Sequence, residues 1–360
     1  MNITHVSFGF NTGGAELMMS DIMGIQAEEG HNVTLLLIND RYEEALLQKI
    51  PSDVRVVKVG RPSGSKNPLW YLKYNILLRR TRPDAVHFHQ AKASSLTIPS
   101  RGTGYVETVH CLGAPVKKRG FIDRYVAISE AVSSDLDKRL NLHTAIIQNG
   151  INSRAITPRG GAPRKEGDPF RIVCVSRLDH GNKGQDIAIE ALSKLKGSAG
   201  MPKIHLDFIG EGASLKMLED MVAEKHLDRE IRFLGNRPRD YIYSHLADYD
   251  LFIQPSRFEG FGLTVAEAMA ARLPVLISDL EGPMDIIGKG KYGTSFRNGD
   301  AGDCARKIAS AIGNHRELLA LGAGDAYTRV TEKYDIRRTA REYIALYREV
   351  AAGKSHNRRP

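Results

Sequence analysis

Two carboxylates eight residues apart, Glu259 and Glu267, bracket the stretch Ser256-Arg257-Phe258-Glu259-Gly260-Phe261-Gly262-Leu263-Thr264-Val265-Ala266-Glu267. A carboxylate set beside a phosphate would repel it. Carboxylates here are better suited to accepting hydrogen bonds from sugar hydroxyls, as an acidic residue does for ribose in dinucleotide folds. Gly260 and Gly262 let the main chain approach a ligand closely. Before the stretch, Asp250–Pro255 reads as a short buried strand ended by Pro255. After it, Leu263–Ala271 is a helix former stopped ahead of Pro274. A glycine-bearing loop therefore runs from a strand end into a helix N-terminus, where backbone N–H groups and the helix dipole favour an anion. An ordinary helix start with an acidic first turn has the same local pattern, so shape alone leaves both readings open.

Other stretches repeat that arrangement. Strand Ile3–Phe8 leads through Gly13 and Gly14 into a helix from Ala15, without the G-x-G-x-x-G spacing of a dinucleotide fingerprint. Strand Phe170–Val175 is followed by Arg177 and by Lys183-Gly184, two cations that could neutralise charge on a departing diphosphate. Strands Lys203–Ile209 and Ile231–Leu234 run into loops carrying Gly210 and Asn236. His110 follows the apolar strand Gly104–Val109 at the end where ligands gather in such sheets. His87 and His89, two apart on a strand, share a face, but no third metal ligand has suitable spacing. Asp248 and Asp250 resemble a metal-binding Asp-x-Asp, yet they occupy a helix end running into a buried strand and read as structural. No cofactor and no divalent metal is expected.

What must position these residues is an alternation of short strands and helices. Asn32–Ile38, Val54–Val59, Ala85–Phe88, Tyr125–Ile128 and Thr144–Ile147 are β-rich, with helical segments Arg41–Lys49, Leu69–Arg80 and Glu130–Leu140 between several of them. Such alternation implies α/β architecture with doubly wound parallel sheets. The Pro/Gly-rich shift from Thr157 to Pro169 marks a linker, which divides the chain into residues 1–168 and 169–335. A final helix spans 336–352, and the polar, basic residues 353–360 read as a disordered tail.

Glu259-Gly260-Phe261-Gly262-Leu263 with Glu267 resembles the signature of the retaining glycosyltransferases of family 4. The Gly13-Gly14-Ala15-Glu16 loop, His110, Asn149-Gly150-Ile151 and Arg177…Lys183-Gly184 resemble further family elements along nearly the whole chain. The resemblance implies a GT-B fold, in which two Rossmann-like domains face each other across a cleft and the C-terminal helix returns to the first. It also implies roles. Glu267 would hold the donor ribose. Arg177, Lys183 and the backbone at Gly14 would hold the diphosphate. Glu259, the Gly260–Leu263 amides and His110 would orient the sugar, the loop at Asn236 would receive the base, and Gly210 would also meet the donor. The implied activity is transfer of a hexose or N-acetylhexosamine from a nucleotide diphosphate sugar to a hydroxyl acceptor with retention, in bacterial surface polysaccharide assembly. A uridine donor comes first and GDP-mannose second.

A length of 360 residues suits two domains, and 42% hydrophobic with 26% charged residues is ordinary for a globular enzyme. No apolar run reaches membrane-span length, the start reads as a strand and not a signal peptide, and three unpaired cysteines argue against disulfides and zinc modules. The cytosol is the expected compartment. The net charge of +9 calls for an anionic partner. No nucleic-acid motif is present. The helix bearing Trp70, Lys73, Arg79 and Arg80, together with the basic loop Lys117-Lys118-Arg119, could meet a membrane surface or a lipid-diphosphate acceptor. An ordinary packed amphipathic helix has the same periodicity. Two rivals stay open: a nucleotide-sugar epimerase or hydrolase, and a non-catalytic nucleotide-binding adaptor.

Overall fold

A computed structural model describes residues 1–11, 13–160 and 167–355. The chain divides into two compact units, 1–150 with 336–360 and 151–335. The division falls at Gly150, eighteen residues before the Asp168 boundary that composition suggested. The described backbone up to residue 160 is bonded into the second unit: Thr157 N–H donates to Tyr243 O at 3.0 Å and Arg159 N–H to Ala271 O at 2.8 Å. Arg159 also pairs with buried Asp250 at 3.0 Å. Composition registered loss of regular structure there, not loss of attachment.

In the first unit the strands are β1 (Asn2–Ser7), β2 (Asn32–Asn39), β3 (Arg55–Arg61), β4 (Ala85–Phe88), β5 (Gly104–Val109), β6 (Arg124–Ala127) and β7 (Ala145–Ile146). They form one parallel sheet in the order β3-β2-β1-β4-β5-β6-β7. Strand order reverses between β1 and β4, so the chain opens a crevice beyond their carboxyl ends. β4 and β5 are buried along their whole length, as parallel strands covered on both faces must be. The expected helix Arg41–Lys49 shrinks to Glu44–Leu47. Phe10 N–H donates to Arg41 O while Glu43 N–H donates to Phe10 O, so a bridge to β1's loop already uses the backbone that would start the helix.

The last helix, Ile336–Ser355, belongs to this unit and runs past the expected end at 352; residues 356–360 of the expected tail lie outside the described residues. Its Tyr343 and Tyr347 are buried against the sheet. Val350 packs so closely on Gly104 that a Cβ there would lie 2.5 Å from Val350 Cγ2. Arg341–Glu29 and Lys354–Asp123 ion pairs, both at 2.8 Å, flank the apolar seam.

The second unit holds β8 (Phe170–Val175), β9 (Ile204–Ile209), β10 (Ile231–Phe233), β11 (Leu251–Gln254), β12 (Val275–Ser278) and β13 (Thr294–Phe296), ordered β10-β9-β8-β11-β12-β13 and parallel throughout. Its switch point lies between β8 and β11. A core of Phe170, Ile172, Leu206, Phe208 and Ile253 with Ile187, Leu192 and Ile308 from covering helices holds this sheet. Both sheets are thus doubly wound and Rossmann-like. No helix is long and apolar enough to cross a membrane among the described residues.

Candidate active site

At the second unit's switch point, the loops leaving β8 and β11 are tied together. Lys183 Nζ donates to Glu259 Oε2 at 2.7 Å, and Gln254 Nε2 donates to the same oxygen at 2.9 Å. The amides of Arg257 and Phe258 both donate to Asn182 O, at 2.8 and 3.1 Å. Arg257 grips Asp186 with two bonds of 2.7 Å. Gly184 is obligatory in this knot. It has φ 64°, and a Cβ would lie 1.9 Å from Pro255 O.

Gly262, at φ 105°, turns the chain into the helix Leu263–Ala270, whose first turn opens beside Glu259. Phe261 is buried edge-on against Tyr334, with ring centroids 5.5 Å apart. Gly260 is buried and backs on Gly282. Leu263 is half-buried at the helix start. Two turns on, Glu267 Oε1 accepts from Tyr243 Oη at 2.8 Å, and burial with the neighbouring carboxylate pushes that phenol's pKa up. Arg177 is exposed at the end of β8 and makes no ion pair among the described residues. Gly210 passes so close to β8's loop that a Cβ would meet Ser176 O at 2.1 Å, and the exposed Asn236 lies on the next loop, its N–H toward Glu211. Asp250 is consumed structurally: Arg159 bonds Oδ1, and Arg171 N–H donates to Oδ2 at 2.9 Å.

The first unit carries a separate cavity of about 590 Å³ above β4 and β5, lined by Met19, His89, Val109, His110 and Val116 among others. Lys92, Lys117 and Arg119 place cations on its wall, whereas Lys118 is not part of it. Glu16, two residues after Gly14, also lines it. Gly13 has extended backbone, φ −164°, and a Cβ there would meet the flexible Glu16 carboxylate at 2.5 Å. Glycine at this position is therefore not forced by left-handed backbone.

Several groups here escaped the motif reading. Glu107, 0% exposed in β5, lines the cavity with both carboxylate oxygens lacking a hydrogen-bond partner. Burial pushes its pKa up, only partly opposed by Ser94 and Arg119. A lone acid in Gly-Tyr-Val-Glu-Thr-Val was its visible signal. Arg119 Nε and His110 Nδ1 are likewise buried without partners.

His87 and His89 do gain a third histidine. His5 on β1 lies in register with His87, and ligand nitrogens of the three lie within 4.8 Å of one another. Spacing along the chain could not show this, because strand pairing joins residues 82 positions apart. The nitrogens are already committed. His87 Nε2 meets Thr108 Oγ1 at 2.7 Å and His87 Nδ1 meets Tyr347 Oη at 2.6 Å. His5 bonds Gln26 and His89. A metal would have to break these bonds.

The membrane-type helix spans Pro68–Arg80 and buries Tyr74, Asn75 and Leu78. Its outer face carries Leu69, Leu72 and Ile76, 67%, 55% and 43% exposed, beside Arg79 and Arg80. Trp70 is half-buried, and Lys73 turns back to bond Val59 O at 2.7 Å.

Sequence profiles decide the family. The profile of glycosyltransferase family 4 matches residues 12–154, and that of glycosyl transferases group 1 matches 161–323. The chain is a glycosyltransferase built of a family 4 domain followed by a group 1 domain. This glycosyltransferase is 26% identical over 256 residues to an uncharacterized glycosyltransferase of Methanocaldococcus jannaschii, covering 66% of this chain and 68% of that protein. It is 27% identical over 249 residues to the lipopolysaccharide core biosynthesis mannosyltransferase LpsB of Rhizobium meliloti, covering 63% and 65%. In structure it is similar to Anabaena HepE in complex with UDP and glucose, with TM-score 0.77, 21% identity and coverage of 96% and 99%. The fold is that of the GT-B glycosyltransferases.

Proposed function

We propose that this enzyme moves a hexose or N-acetylhexosamine from a nucleotide diphosphate sugar, UDP first and GDP-mannose second, to a hydroxyl of a lipid-linked saccharide acceptor, with retention. The observation that carries the reading is the Lys183–Glu259–Gln254 knot beside the first turn of the helix Leu263–Ala270. Lys183 and Arg177 supply positive charge for the departing diphosphate, so no divalent metal is required. Glu259, with Oε2 held by Lys183 and Gln254, offers Oε1, which the Phe261 N–H approaches at 3.5 Å, to sugar hydroxyls. Glu267, oriented by Tyr243, accepts from the ribose. The C1–phosphate oxygen bond breaks, the acceptor oxygen bonds C1 on the same face, and its proton passes to the departing phosphate oxygen. HepE, similar in fold, binds UDP and glucose, which supports a uridine donor. LpsB, named a mannosyltransferase, supports the guanosine alternative.

The cavity beside Glu107 and His110 receives the acceptor. Its apolar wall and cationic Lys92, Lys117 and Arg119 fit an amphiphile bearing phosphate. An epimerase or hydrolase would leave that cavity without an occupant. The outward stripe Leu69, Leu72 and Ile76 with Arg79 and Arg80 fits an anionic bilayer. Asn75, on the same helix, bonds Leu96 O and Ile98 N–H, and that segment continues from Ser95 in the cavity wall. Lipid surface and acceptor cavity are therefore neighbours within one unit.

Thermal melting with UDP, GDP, ADP and dTDP, with and without EDTA, tests the donor site. A ligand at a hundred times its Kd stabilises by about 2.7 kcal/mol. One base should win regardless of EDTA. No shift at millimolar nucleotide points instead to an adaptor, and EDTA sensitivity overturns metal independence.

A further inference from the structure

Three histidines of the first unit, His5, His89 and His110, form a directed array that ends in the cavity. His5 Nε2 meets Gln26 Oε1 at 2.8 Å, His5 Nδ1 meets His89 Nε2 at 3.0 Å, and His89 Nδ1 meets His110 Nε2 at 3.2 Å. The rings of His5 and His89 stack with centroids 5.3 Å apart, those of His89 and His110 with centroids 5.4 Å apart. His87 stands beside the array with both nitrogens taken by Thr108 and Tyr347. Of the ring nitrogens in these four residues, only His110 Nδ1 lacks a partner, and it is buried in the cavity wall.

Burial holds His5 and His110 near pKa 4 and pushes His87 and His89 well down, so all four are neutral at neutral pH. A neutral imidazole carries one N–H and one bare nitrogen. Gln26 directs its carbonyl at His5, while its amide nitrogen lies on the Tyr347 side without a full hydrogen bond. With the Gln26 amide in this orientation its carbonyl only accepts, so His5 Nε2 donates and His5 Nδ1 is bare. His89 Nε2 then donates and its Nδ1 is bare. His110 Nε2 donates in turn.

We infer that Gln26, His5 and His89 are positioning residues that lock His110 as the Nε2–H tautomer, leaving its bare Nδ1 to accept a hydrogen bond from a substrate hydroxyl. The array is not a proton wire. A proton taken at Nδ1 could travel to His5 but would end at the Gln26 carbonyl, which cannot keep it. His110 therefore orients a hydroxyl and does not remove its proton for good, consistent with the departing phosphate as proton acceptor. The hydroxyl's identity as substrate rests on the proposed transfer reaction; the tautomer does not.

The test is ¹⁵N NMR of the full-length protein labelled at histidine, its 12 histidines assigned by single His→Gln variants. His110 should show an unprotonated Nδ1 and a protonated Nε2 at neutral pH. A protonated Nδ1 overturns the inference without any variant. Gln26→Met should yield mixed His110 tautomers and lower kcat about tenfold, the size of one hydrogen bond, with UDP-induced stabilisation unchanged. Gln26→Glu, which still presents an acceptor, should restore the tautomer. An unchanged His110 tautomer in a folded Gln26→Met protein sinks the lock even if activity falls. If no sugar transfer is found but the tautomers respond as stated, the lock stands and the reaction assignment fails.

Discussion

The two switch points solve opposite problems. In the second unit the polar groups stand on loops beyond the strand ends, and Glu259 and Lys183 are 17% and 27% exposed at their side chains. In the first unit the polar groups lie in or at the ends of the strands themselves: His5, His87, Glu107 and Thr108 are buried among apolar neighbours. Loop chemistry can be exchanged with water and needs little support. Buried chemistry must be satisfied by partners or held in reserve for a ligand, because an unpaired buried group carries its full desolvation penalty. Under the proposed function, the second unit suits a charged donor and the first a hydroxyl held in one orientation.

The sharpest way to break that comparison is Glu259→Gln, which keeps shape and removes charge. Transfer should fall by about 10² to 10³, typical for losing a preorganised electrostatic contact, while calorimetry shows nucleotide binding little changed. Equal loss of both would make Glu259 a scaffold for its loop. Gly184→Ala attacks the same knot mechanically. With φ 64° and Pro255 O in the way, the melting free energy should drop by more than about 1 kcal/mol.

In the first unit, Glu107→Gln should remove the fall in stability that Glu107 causes as pH rises above 4.5, and raise KM for the acceptor but not the donor. The sign follows from linkage. A carboxyl whose folded pKa is raised binds more protons folded than unfolded, so its contribution worsens as pH rises from the ordinary 4.5. The histidines run the other way. Folded pKa values near 4 against 6.5 mean that their contribution is full above pH 6.5 and is lost as pH falls toward 4. Hydrogen exchange across that window should show the first unit opening before the second. The smallest effect on the folded state is expected for Leu72→Glu with Ile76→Glu. Stability should stay within about 0.5 kcal/mol, yet binding to vesicles containing anionic lipid should disappear. Retained vesicle binding would remove the membrane role of that face.

Much of this molecule was legible before any coordinates. Alternating strands and helices, the Glu259–Glu267 loop and the Arg177 and Lys183 positions are all local patterns, because a strand end, a glycine turn and a helix start are specified by neighbouring residues. The family resemblance added roles to the same short segments. What local pattern could not decide was which distant strands lie side by side. The order β2-β1-β4-β5 puts His5 against His87 and brings the last helix's Tyr343 and Tyr347 onto Thr108 and His87, contacts that span 82 to 260 positions. The linker shows the same limit, since residues 157–160 belong to the stretch that looks like a free connector in composition and are bonded into the second unit. Sequence by itself determined the elements, the loops that bear charge and the kind of chemistry they suit. Tertiary structure alone decided the histidine array, the unpaired Glu107 and the free nitrogen of His110, because burial and strand pairing are properties of neighbours in space and not of neighbours in the chain.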